Sequence, residues 1–171
     1  MTDKFLFLIG SAVNHFQEER YSEFSQKERF EQTLKTIKSV KEKDPDAIIC
    51  IYESSSTKID DKYEDQFKDV SDIYINLSND PGIRVLYQNL ERSPDKFPFG
   101  KSLLECRSLI VVLNEIKNHN LFTNIRRIFK LSGRYKLNEN FDINDYKSRF
   151  LINYYIGKVY EYNQERFEDQ D

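Results

Sequence analysis

Three residues at alternate positions, Lys130, Ser132 and Arg134, carry the clearest chemistry in the sequence. Alternate side chains of an extended chain share one face, so two cations bracket a hydroxyl. That pattern is a poor hydrophobic core and a good partner for an anion such as a diphosphate, to which Arg134 could donate two parallel hydrogen bonds. The same spacing also suits side chains that simply reach solvent at a strand end. Gly133 permits a bend or the close approach of a ligand. Carboxylates follow only later, at Glu139, Asp142 and Asp145.

Other candidates are more scattered. Glu53 closes a β-branched run, where nucleotide-binding α/β domains place a carboxylate against ribose hydroxyls; it also reads as an ordinary loop acid. The segment "FGKS", Phe99 to Ser102, resembles the end of a phosphate-binding loop. The full pattern requires a glycine where Asp95 stands, and a preceding strand, so that motif is rejected. What survives is an expected helix start at Ser102, with Glu105 completing a capping box, where Lys101 and backbone donors could meet an anion. His15 is the one histidine in a candidate site loop, and His119 reads as a helix-end residue. A single histidine supports neither a zinc site nor a serine-hydrolase triad.

These residues need elements to hold them. The run "FLFLIG" predicts a buried first strand. Ser25 and Glu28 form a capping box ahead of a helix with Phe30, Leu34, Ile37 and Val40 on one face. "AIICIYE" predicts a central strand parallel to the first. Ile59, Tyr63, Phe67 and Val70 mark a second helix, "DIYINLS" a third strand, and Asp80–Pro81 a third helix carrying Ile83, Leu86, Tyr87 and Leu90, although "IRVLY" within it also suits a strand. The helix from Leu103 to Ile116 is apolar almost all round, which predicts deep burial. "RIFKL" is a fourth strand, and "FLINYYIGKVYEY" predicts one or two more. This alternation implies a three-layer α/β/α domain on a mostly parallel sheet. Residues 1–163 read as one domain and 164–171 as a solvated acidic tail.

The bulk numbers bound the function. A chain of 171 residues with 39% hydrophobic residues can bury a core. A net charge of −3 argues against a broad nucleic-acid or membrane surface, and no apolar run reaches the roughly 20 residues of a membrane span. The first residues do not form a convincing signal peptide. Cys50 and Cys106 read as two buried, reduced thiols, and a cytoplasmic location is expected.

Taken together, the order of elements and four segments resemble the GT-A type of nucleotide-sugar glycosyltransferase, in its family-2-like group. The segments are "RFEQTLKTIKSV", "CIYESSST", "GKSLLECRSLIVVLNEI" and "IFKLSGRYKLNENFD". The last resembles a capsule and viral variant with a Lys-x-Ser-Gly-Arg-Tyr segment, here Lys130 to Tyr135. The resemblance spans Lys4 to Asp142. It implies a Rossmann-like nucleotide-sugar-binding domain that transfers a sugar from a nucleoside diphosphate to a carbohydrate or other hydroxyl acceptor. Ser11, Asn14, His15 and Glu53 would meet the nucleoside. Lys101, Lys130, Ser132 and Arg134 would meet the diphosphate, and Asp142 would serve as base or metal ligand.

The family's Asp-x-Asp metal pair is replaced here by Ser-Gly-Arg. Two substitutes follow: Lys130 and Arg134 neutralise the leaving group directly, or Glu139, Asp142 or Asp145 hold magnesium or manganese. Family members also carry a further acceptor-binding half, so compact, truncated and inactive forms stay open. The competing reading is a non-catalytic α/β assembly module that uses the Tyr-rich "NYYIGKVYEY" surface, with oligomerisation permitted.

Overall fold

A computed structural model describes residues 4–14, 24–93, 97–118, 125–146 and 164–166. The apolar opening run forms β1 (Lys4–Ser11), followed by α1 (Gln26–Lys43) and β2 (Ile48–Glu53). Next come α2 (Asp61–Val70), β3 (Ile73–Asn76), α3 (Pro81–Arg92) and α4 (Phe97–Asn118). The chain then adds β4 (Ile125–Ser132), β5 (Tyr135–Leu137), a 3-10 turn (Ile143–Tyr146) and β6 (Gln164–Arg166).

Helix starts follow local chemistry. Ser25 Oγ accepts the Glu28 amide at 3.3 Å while Glu28 accepts the Ser25 amide at 2.7 Å, the reciprocal box expected from the sequence. At α3, Asp80 accepts the Ile83 amide at 2.9 Å and Pro81 takes the first helical position, where a missing N–H costs nothing.

Among the described residues, β1 to β4 make one parallel sheet in the order β3-β2-β1-β4. Its two faces are covered separately, giving three layers. On one, Phe7, Ile9, Ile51, Phe129 and Leu131 pack under Phe30, Ile37 and Val40 of α1 and Phe67 of α2. On the other, Leu6, Leu8, Cys50 and Tyr52 pack under Ile83, Tyr87 and Leu90 of α3 and Leu104, Val112 and Ile116 of α4. The α/β architecture with a parallel sheet is as expected.

The strand order has a functional consequence. From β1 the chain steps one way to β2 and β3, then returns over the sheet to place β4 on the other side of β1. The order thus reverses at β1, whose neighbours β2 and β4 lie on opposite sides, and open parallel sheets bind ligands outside the strands' carboxyl ends at such a point.

Several expectations are corrected. The fourth helix starts at Phe97, not Ser102. Pro98 therefore falls in the first turn, where an N–H would lack an intrahelical partner. Ser102 lies inside the helix and is no cap, so the backbone donors expected beside Lys101 are occupied by the helix itself.

That helix is not buried all round: Phe99, Leu103, Ile110 and Leu113 are exposed on its outer side, and Cys106 is exposed with them. Val70 of α2 is also exposed, and Ile59 is buried ahead of that helix. Residues 164–166, read from the sequence as tail, form β6 and pair antiparallel with β5. The segment Phe150 to Tyr162, His15 and His119 lie outside the described residues. No described helix is long and apolar enough to cross a membrane.

Candidate functional site

A cavity of about 210 Å³ occupies the crevice between the carboxyl ends of β1 and β4. Backbone makes its floor. The Gly133 amide donates to the Gly10 carbonyl at 2.7 Å, tying the exit of β4 to the end of β1. A β-carbon on Gly133 would stand 2.9 Å from that same carbonyl and 2.5 Å from Thr33 Oγ1. Glycine is therefore required by the approach of strand to strand and strand to helix, not by a ligand. Beyond the turn, Thr36 Oγ1 donates to the Tyr135 carbonyl at 2.6 Å and the Leu137 amide donates to Ser39 Oγ at 3.0 Å. Those bonds bend the chain out of the sheet and onto α1, leaving Arg134 on the cavity wall.

The wall is strongly cationic. Lys130 reaches it from β4, Arg134 from the turn, Lys101 from α4 and Arg29 from α1, while Glu105 of α4 is the sole carboxylate among the described residues of the lining. Arg29 is only 7% exposed and donates from Nη1 to the Ala12 carbonyl at 2.9 Å. Lys130 Nζ makes an ion pair with Glu105 Oε1. Despite that partner its ammonium is held below the ordinary lysine value, first by burial and then by repulsion from Lys101 and Arg134. Gathering cations until they perturb one another costs free energy, and a bound anion recovers it. Serine hydroxyls of Ser11, Ser108 and Ser132 also line the space. Tyr87 closes one side, its hydroxyl donating to the Ser54 carbonyl at 2.5 Å.

Of the residues singled out from sequence, Ser11, Lys101, Lys130, Ser132 and Arg134 converge on this cavity. Arg134 does so from the turn, not from the strand face that period two suggested. Three do not converge. Glu53 is 1% exposed, and Oε1 accepts the Val13 amide at 3.3 Å, the Ser55 amide at 2.8 Å and the Ser55 hydroxyl at 2.5 Å. It clasps the loops after β1 and β2 from beneath. Burial raises its carboxyl above the ordinary value, although these hydrogen bonds oppose the shift.

Asn14 works in the same clasp, with Nδ2 donating to the Lys58 carbonyl at 2.9 Å. Asp142 is exposed, and its Oδ1 accepts from the Asn144 backbone and side chain, both at 2.8 Å. It shapes the 3-10 turn away from the cavity, which the sequence could not reveal because the chain bends at Gly133. Glu139 and Asp145 are likewise exposed. No described group of three carboxylate, histidine or cysteine residues could hold a metal ion. Among the described residues, the lining's one carboxylate beside four cations is a donor set that does not fit a divalent cation.

Two charged wall residues escaped the sequence reading as site candidates. Arg29 continues into Thr33 and Thr36 at helical spacing, all buried beside the apolar stripe of α1. A polar stripe at that spacing is the signal that could have found it. Glu105 was read as part of a cap that does not form.

Comparison with family models, with curated proteins and with solved structures returned no match.

Proposed function

We propose that this cavity binds the diphosphate of a nucleotide sugar, and that the chain is a GT-A-type, Rossmann-like transferase domain that passes the sugar to a hydroxyl acceptor. The observation that carries the reading is the convergence of Arg29, Lys101, Lys130 and Arg134 at the switch point of a parallel sheet. Pockets for whole drug-sized ligands measure roughly 300–1,000 Å³. At about 210 Å³, this cavity suits the charged centre of such a donor.

In this reading Arg134 clasps the diphosphate with paired donors, and Lys130 and Lys101 neutralise it. Ser132 donates a hydroxyl hydrogen bond. When the bond between sugar and diphosphate breaks, negative charge grows on the leaving group. Cations already in position stabilise that charge without reorganising. Support for the transfer step comes from the Lys130–Tyr135 segment, whose resemblance to glycosyltransferases falls on residues of the wall.

Thermal shift and calorimetry with a panel of uridine, guanosine, cytidine and thymidine diphosphate sugars test this. At least one should raise the melting temperature, and Arg134→Gln should weaken it by about 10- to 100-fold, as expected for hydrogen bonds to a charged group. A panel that produced no shift, with or without manganese, would end the proposal.

A further inference from the structure

Glu105 stands out as an acid on a wall built for anions. The two members of its ion pair with Lys130 are held very differently. Lys130 projects from β4, a strand bonded along its length to β1, and its side chain is 30% exposed. Glu105 projects from α4 with a side chain 45% exposed, so it has water to turn to once the ion pair is given up. Lys101 and Arg134, close enough to depress the lysine ammonium, stand beside the same pair. A phosphate oxygen that takes Lys130 must take the position of the Glu105 carboxylate, or bring negative charge against it.

We infer that Glu105 is an internal competitor for the anion and sets the ligand class that this cavity admits. The inference rests on the anion-binding reading of the cavity and deepens it. An anion that engages Lys130 alone gains no more than the carboxylate it displaces. A diphosphate reaches Lys130, Lys101 and Arg134 together, and its extra contacts decide the exchange. The cavity thereby discriminates against simple carboxylates, which can offer Lys130 only what Glu105 already supplies.

Inorganic pyrophosphate is the probe, titrated calorimetrically into the full chain and into Glu105→Gln and Lys130→Met variants. Glutamine keeps the length and helix propensity of residue 105 while removing its charge, and melting temperatures check the fold. Glu105→Gln should bind pyrophosphate about tenfold more tightly than the parent, an energy of one ion pair in a partly buried site. It should also bind acetate measurably where the parent does not, and Lys130→Met should bind pyrophosphate more weakly. Tighter binding is a result that loss of a merely structural contact would not produce. Equal or weaker pyrophosphate binding by Glu105→Gln, with the parent still binding, would overturn the competitor role and leave the anion site standing. Absence of binding by every form would overturn both.

Discussion

At the scale of single residues, Lys130 is a cation kept in unfavourable surroundings. Its folded value lies below the ordinary 10.5 because burial and then two neighbouring cations disfavour the charge. A bound anion favours the charged form, so binding takes up a proton once the pH exceeds the lowered value. Pyrophosphate affinity should then fall as pH rises into the alkaline range. In Lys130→Arg, which stays charged, that part of the decline should disappear, and the comparison cancels the ligand's own titration. Superimposable profiles for the two proteins would remove Lys130 from the site.

Glu53 presents the opposite case, an acid whose value is raised by burial above 4.5. Its proton is held more tightly in the folded chain, so it costs stability as pH rises from 4.5 through the raised value. Glu53→Gln should gain melting temperature relative to the parent across that window. Glu53→Ala should lose about 1–3 kcal/mol for each amide or hydroxyl left without an acceptor. Urea unfolding at several pH values measures both.

Elements show how the same helix can serve a site on one side and solvent on the other. Helix α4 turns Leu104, Val112 and Ile116 into the core while Phe99, Leu103, Ile110 and Leu113 face outward. Its composition made it look buried on every side, because a count of apolar residues carries no direction. Denaturant unfolding should therefore separate two isoleucines of one helix. Ile116→Ala should cost about 2–5 kcal/mol through a cavity, whereas Ile110→Ala, 55% exposed in the parent, should stay within about 1 kcal/mol. Equal losses would mean that the helix is rotated from the orientation described. Helix α1 shows the complementary lesson. Its apolar stripe was plain in the sequence, yet the neighbouring stripe of Arg29, Thr33 and Thr36 is what meets β5 and the cavity.

For the whole molecule, strand and helix order was legible because each unit announces itself locally. Caps at Ser25 and Asp80, Pro81 at a helix start and β-branched runs suffice to define α1, β2 and α3. The rule that ligands sit at the carboxyl ends of parallel strands then nominated Ser11, Lys130, Ser132 and Arg134 without knowledge of distances. What could not be read is the direction of the chain after Gly133. That single turn decides that Arg134 joins Lys101 and Arg29, and that Asp142 does not. The direction of Glu53 was hidden for a similar reason: a strand-end acid can point up to a ligand or down to its own loops, and only packing settles which.

The bond between Gly133 and Gly10 carries one more implication. Any side chain added at Gly133 strikes backbone, and one added at Gly10 meets the Tyr52 hydroxyl at 2.6 Å. The cavity's base thus resists substitution, since change there strikes the β1 backbone or the buried Tyr52 ring. Its cationic sides are side chains of β4, α1, α4 and a turn, and these can vary without moving a backbone. A lineage carrying this fold could exchange one anionic ligand for another by altering only those sides, with the architecture beneath held constant.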